Sequence, residues 1–103
     1  MKMKVSRAQF TALLNIFNAV CNRPVPPNFE ARLMMILLES IRKQLIKKSV
    51  DFKKKYSLTM SDQEALSFFI FFKKFHFFPE DAIYETVLVD SICNGIHQQY
   101  TII

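Results

Sequence analysis

The four side chains best suited to bind zinc in this sequence are two cysteines and two histidines. Cys93 and His97 are four residues apart, so on a helix they share one face and can supply two ligands. Cys21 and His76 would complete a Cys2His2 set, which zinc accepts tetrahedrally. The spacing does not show that the two pairs converge, and buried thiols beside a packed histidine are the ordinary interpretation. We therefore predict no metal site and no cofactor.

The sequence also lacks the patterns that catalysis commonly requires. Glu80, Asp81 and Glu85 are closely spaced carboxylates, but the first two fit the opening turn of a helix, where the helix dipole favours negative charge. A phosphate-binding loop needs several glycines, and Gly95 is alone in the chain. Neither G-x-S-x-G nor H-E-x-x-H occurs. We predict that the protein is not an enzyme.

Composition predicts a cytoplasmic protein without a membrane partner. Two distant cysteines do not form a disulfide framework, so we expect both to be reduced. No apolar run approaches the roughly 18 residues of a membrane span. A signal peptide is not expected, because Asn15 and Asn18 interrupt the apolar segment after the N-terminal cations. Residues encoded by AT-rich codons outnumber those encoded by GC-rich codons, which favours a low-GC source: an AT-rich bacterium, a phage or a mobile element. If the source is a phage, the location would be a virion or the host cytoplasm.

Apolar spacing and turn residues divide the chain into four helices. Ser6 with Gln9, and Ser61 with Glu64, match the capping box that starts a helix. The sequence predicts helices from Ser6 to near Asn22, from Asn28 to at least Lys48 with an extension to Lys55 left open, from Ser61 to Pro79, and from Pro79 onward. We expect an all-α, compact, four-helix bundle-like single domain over residues 1–103.

The second helix is expected to turn one apolar face inward. The members of that face, spaced at three and four residues, are Leu33, Ile36, Leu37, Ser40, Ile41 and Leu45, with Met34 and Leu38 widening it.

The third helix is apolar nearly all round. Seven of the eleven phenylalanines fall within residues 66–81. A central, buried helix is one interpretation. A small bundle exposes part of every helix, however, and exposed aromatic surface is typical of protein interfaces. We therefore predict a protein interface at Phe71, Phe77, Phe78 and Lys74.

Charge is unevenly divided along the chain. Residues 1–60 carry a formal charge of +9 and residues 61–103 carry −4. The densest basic stretch holds seven cations: Arg42, Lys43, Lys47, Lys48, Lys53, Lys54 and Lys55. Three interpretations stay open: a solvated helix end, contact with nucleic acid phosphates, or steering toward the acidic part of another subunit.

These features predict a non-enzymatic protein that works by protein–protein contact. It would self-associate as a homo-oligomer or act as a subunit, adaptor or inhibitor in a larger assembly. The alternative is a nucleic-acid-binding accessory protein that uses the basic stretch 42–55.

Overall fold

A computed structural model of the chain describes residues 1–24, 28–74 and 78–100. The elements, in chain order, are β1 (Lys2–Ser6), α1 (Arg7–Cys21), α2 (Phe29–Lys48), β2 (Lys55–Thr59), α3 (Asp62–Lys74) and α4 (Ile83–Tyr100). Four helices and a mostly helical fold are therefore confirmed, with a small sheet in addition. The radius of gyration is 13.4 Å, which is close to the roughly 13 Å of a compact chain of this length.

The predicted helix starts are confirmed by their hydrogen bonds. The Ser6 hydroxyl accepts from the Gln9 N–H at 3.2 Å, and the Gln9 side chain accepts from the Ser6 N–H at 2.8 Å. Ser61 and Glu64 form the same reciprocal pair before α3, at 3.1 and 2.8 Å. The Asn28 side chain accepts an N–H of the first turn of α2 at 2.7 Å. Each cap satisfies helix N–H groups that have no partner within the helix.

The all-α prediction holds roughly, because a small two-stranded sheet accompanies the four helices of the described residues. β1 and β2 pair antiparallel, with Met3 opposite Leu58 and Val5 opposite Tyr56 on the inner side. From the sequence, no element is expected over residues 1–5, and YSLTM (56–60) is expected to be a break between helices. The sequence also leaves open an extension of the second helix to Lys55, whereas α2 ends at Lys48. The strands could not be predicted from local sequence, because each is short and its partner lies about fifty residues away in the chain.

At one end of the ribbon formed by β1 and β2, further hydrogen bonds extend the strand pairing and join β2 to α2. Beyond the last pair, the Met60 N–H donates to the Met1 carbonyl at 2.8 Å, and the Met1 amine donates to the Met60 carbonyl at 2.7 Å. On the other edge, the Gln44 side chain of α2 donates to the Thr59 carbonyl at 2.6 Å and accepts from the Thr59 N–H at 3.0 Å. β2 is therefore held between β1 and α2.

The inner face of the ribbon packs on α1. The rings of Phe10 and Tyr56 are stacked with centroids 3.9 Å apart. The Tyr56 hydroxyl donates to the Asp51 carbonyl at 2.8 Å and accepts from the Lys53 N–H at 3.1 Å. One buried tyrosine thus joins the sheet to the core and fixes the segment that follows α2.

The core lies among all four helices and the ribbon. α1 contacts α2 and α4, and α3 contacts α2 and α4. The helical residues that are buried, with at most 6% exposure, include Phe17 and Val20 of α1, Leu38, Ile41 and Leu45 of α2, Phe68 and Phe71 of α3, and Leu88, Val89, Ile92, Cys93 and Ile96 of α4.

The boundary between the third and fourth predicted helices differs from the expected one. α3 is described as far as Lys74, Pro79 is not helical, and α4 begins at Ile83. A proline at the first position of α4 was expected, and this expectation is corrected. Glu80 and Asp81 form a turn before α4 begins.

Candidate functional site

The structure does not bring the predicted interface residues of α3 together as an exposed aromatic patch. Phe71 is only 6% exposed, so the expectation that its side chain would be left outside the core is corrected. Phe78 is half-buried, and its ring stacks on that of Phe72 with the two centroids 5.9 Å apart. Phe77 lies outside the described residues. Lys74 is exposed at the end of α3. The aromatic rings of this region largely cover one another.

Two of the predicted residues nevertheless meet at one cleft. Phe71 and Lys74 line a cleft of about 380 Å³ between the C-terminal end of α1, the N-terminal end of α2 and the end of α3. Met34 and Val20 contribute to its apolar wall, and Glu30 brings a negative charge to its lining. The cleft has the size and the mixed lining to receive an apolar side chain from another molecule.

The largest unexpected feature is an exposed apolar stripe on α2. Phe29 is 89% exposed, Leu33 59% and Ile36 65%. Together with the exposed Ser40, these residues recur at intervals of four, three and four. They form one line along the outer side of the helix, which we call the α2 seam.

The α2 seam corrects the predicted orientation of the helix. The sequence interpretation placed Leu33 and Ile36 inside, whereas Leu38, Ile41 and Leu45 are the residues that fill the core. α2 carries two apolar stripes, and periodicity alone does not say which one faces the protein.

A side-chain network borders the α2 seam and joins α1 to α2. The Arg42 guanidinium donates to Asn18 of α1 at 2.8 Å and to Glu39 at 2.7 Å. Burial, and then the hydrogen bond to the Glu39 carboxylate, raise the pKa of the Cys21 thiol to about 12. Burial acts to raise the pKa of Glu39, but the hydrogen bonds from Cys21 and Arg42 outweigh it and hold that pKa below its usual range.

This network lines a second, shallow depression of about 550 Å³. Cys21 and Glu39 lie in it, and Arg32 and Ile36 complete the side nearest the α2 seam. Because the thiol stays protonated, the depression offers charge and apolar contact rather than a nucleophile.

The predicted basic stretch is divided by the fold. Arg42 donates to Asn18 and Glu39 in the network above, and its role as a contact residue stays a prediction. Lys43 and Lys47 are exposed on α2, Lys48 is half-buried, and Lys53, Lys54 and Lys55 are exposed at the start of β2 and just before it. The last three are joined by residues that the sequence interpretation did not include.

Three further exposed cations belong to this basic surface, and they lie at the start of the chain. Lys2 and Lys4 of β1 are exposed on the same side of the ribbon as Lys55. Arg7 follows directly, and its guanidinium carbon lies 4.0 Å from the ring centroid of Phe52, which is 83% exposed. The alternation K-M-K-V was the available signal, since it places both lysines on one face of a strand.

The side chains considered above as possible zinc ligands do not form a recognisable site in the described part of the chain. Burial raises the pKa of Cys93 to about 11, and the His97 ring stacks near Phe69 at 6.0 Å. His76 lies outside the described residues. Across residues 1–24, 28–74 and 78–100, no three or more Cys, His, Asp or Glu side chains are grouped as metal ligands would be.

None of the helices in the described ranges is long and apolar enough to cross a bilayer.

Comparison with known proteins gives no assignment of family or fold: no family model, no curated protein and no solved structure matches the chain.

Proposed function

We propose that the protein works by protein–protein contact without catalysis, and that its first contact is with a second copy of itself across the α2 seam. The observation that supports this most strongly is the exposure of Phe29, Leu33 and Ile36 in a single line on one helix. Scattered apolar residues are normal on a surface, whereas an aligned apolar stripe is typical of an interface.

The spacing of the α2 seam suits the pairing of two helices. Intervals of four and three residues keep a line of side chains facing a partner helix, as in a coiled coil. An antiparallel arrangement can set Leu33 of one copy on Ile36 of the other, and the reverse. Phe29 then lies over Ser40 of the second copy, where the small side chain leaves space for the ring.

Charge supports the same arrangement. Arg32 and Glu39 flank the apolar pair on one side of α2. In the antiparallel register, Arg32 faces Glu39 of the second copy, and the symmetry of the pair produces this contact twice. Opposite charges beside an apolar seam fix register and orientation more than they add affinity.

The seam is short, so the expected dimer is weak. A phenylalanine side chain can bury about 150–250 Å², and three partly exposed side chains provide well below the roughly 800 Å² per partner of a standard interface. We expect a dissociation constant for the dimer in the micromolar range or higher. The cleft lined by Phe71 and Lys74 lies at the same end of α2 and can enlarge the contact.

The first test is native mass by light scattering over a concentration series. We expect the mass to rise from 12.1 kDa toward twice that value, and Leu33→Arg to keep the protein monomeric. Val87→Arg on α4 is the matched control, because Val87 is 62% exposed and lies off the seam. A monomer at millimolar concentration, or equal loss of association in both variants, would overturn the proposal.

The second test reports the direction of pairing. Phe29→Cys and Ser40→Cys, mixed under mild oxidation, should form a disulfide between different variants and little within either one. A parallel pair would instead link each variant to itself. The native Cys21 and Cys93 should stay out of the reaction because their thiols remain protonated.

A further inference from the structure

We infer that the outer face of the ribbon binds single-stranded nucleic acid. On this face Lys2 is opposite Thr59, Lys4 is opposite Ser57, and Ser6 is opposite Lys55. Of the six outward side chains, Lys2, Lys4 and Lys55 carry a positive charge and Ser6 and Thr59 are exposed hydroxyl residues, whereas the Ser57 hydroxyl is buried. The inward side chains between them are apolar, so the alternation separates a binding surface from the core.

The cationic surface continues past the end of the ribbon. The Arg7 N–H donates to the Lys54 carbonyl at 3.0 Å, which holds the start of α1 against the segment before β2. Lys53 and Lys54 are both exposed there. The sequence has no acid before Glu30, and Asp51 is the only acid between Glu39 and Asp62. Residues 1–7 and 52–59, which form this surface, therefore contain no acid, and Asp51 beside Phe52 is the nearest one in the sequence.

An exposed aromatic ring within this surface indicates the kind of nucleic acid. Phe52 is 83% exposed, and Arg7 lies 4.0 Å from its ring centroid. A base that is not stacked in a duplex can lie on such a ring, and an arginine beside it adds cation–π attraction. A duplex does not present the faces of its bases to a side chain. The ring is therefore suited to a single strand.

The composition of the surface predicts little sequence preference. Its cations are mostly lysines, which neutralise phosphates without the two-pronged base contacts of arginine. The ribbon from Lys2 to Ser6 spans about 14 Å at a rise of roughly 3.4 Å per residue. With Phe52 beyond its end, it matches a short site of about four nucleotides or slightly more.

This surface is separate from the α2 seam, so its test does not depend on self-association. Fluorescence anisotropy with a labelled 20-nucleotide oligothymidylate should show binding that weakens as salt is raised. Lys2→Gln/Lys4→Gln/Lys55→Gln should lower affinity at least tenfold at low salt and reduce the salt slope by about 2, since each single-strand phosphate contact contributes about 0.7.

Two variants make the test specific. Lys43→Gln/Lys73→Gln/Lys74→Gln removes the same charge from exposed positions on α2 and α3, outside the ribbon, and should change binding by less than threefold. Phe52→Ala should weaken binding by about fivefold or more with an unchanged salt slope. Circular dichroism should show that each variant keeps its helix content.

Several results would overturn the inference. Equal losses in the two lysine triples would mean that net charge alone attracts the oligonucleotide. Tighter binding to a duplex of the same length would contradict the role of Phe52. Binding only to vesicles that contain anionic lipid would assign the face to a membrane surface, and no binding at 20 mM salt would remove it as a site.

Discussion

Replacement of Arg42 by methionine tests whether the network between α1 and α2 stabilises the fold. Methionine keeps most of the aliphatic length of the side chain and removes the guanidinium that donates to Asn18 at 2.8 Å and to Glu39 at 2.7 Å. A hydrogen bond to a charged group contributes about 1.5–3 kcal/mol when it is protected from water.

The expected loss of stability must be reduced because the side chains that form these hydrogen bonds are partly exposed to solvent. The side chains of Arg42 and Glu39 are 28% and 33% exposed, so solvent screens part of each interaction. If about half of the protected value remains for each of the two bonds, Arg42→Met lowers the free energy of unfolding by about 2 kcal/mol. For a domain of this size, that corresponds to a fall in Tm of roughly 10 °C.

Urea denaturation followed by circular dichroism measures this difference. Lys43→Met is the matched control: it is the neighbouring residue, it removes the same charge, and it is exposed. We expect the control to change stability by less than about 0.5 kcal/mol. If the two variants were equally stable, the network would not contribute to folding.

The pH dependence provides a second check on the same network. The folded-state pKa of Glu39 lies below its ordinary value, so its contribution is present above the ordinary range of a glutamate and is lost as the pH falls through the lowered pKa. The difference in free energy of unfolding between the wild type and Arg42→Met should therefore become smaller in acid. A difference that became larger in acid would contradict the hydrogen bonds assigned to the carboxylate.

Three further variants and one labelling experiment test other parts of the structure. Phe71→Ala should lower the free energy of unfolding by about 3 kcal/mol in urea melts, because it empties a buried site. A loss below 1 kcal/mol would mean that Phe71 is not a core residue. Ser61→Ala should cost about 1 kcal/mol through loss of the α3 cap, and an unchanged Tm would contradict that cap. Gly95→Ala should add roughly 0.5–1 kcal/mol, since the new methyl group would meet only the flexible tip of Met1 at 3.3 Å; destabilisation would show that Met1 cannot move aside. At pH 8, Cys21 should react with a thiol reagent about a thousandfold more slowly than an ordinary cysteine until denaturant is added, because its pKa is about 12; fast labelling of the folded protein would refute this.

Local signals made part of the fold predictable. The capping pairs Ser6–Gln9 and Ser61–Glu64 involve residues only three apart, so the sequence contains everything that the interaction needs. The strands depend on pairing between distant segments, and Met3 and Val5 provide only two inward positions in β1. That pattern is too short to distinguish a strand from irregular chain without knowledge of the partner.

The candidate surfaces were harder to predict because they depend on which side of each helix is covered. Leu33 and Leu38 both belong to apolar stripes of α2, and only packing against the other helices decides that Leu38 is buried and Leu33 exposed. Phe71 was predicted to be exposed but is buried, and its ring packs edge-on against Phe72. The basic surface needed the β1–β2 pairing, which brings Lys4 and Lys55 onto one face.

The position of the ribbon in the chain has a consequence for the kinetics of folding. Its strands enclose both α1 and α2 in sequence, so the pairing closes a loop of about fifty residues and carries the entropy cost of that closure. Helices form from local contacts on the microsecond scale, and we expect the ribbon to pair after them. A change such as Val5→Ala should then accelerate unfolding more than it slows folding. The ribbon would then set the lifetime of the folded state, and Lys2, Lys4 and Lys55 share one face only during that lifetime.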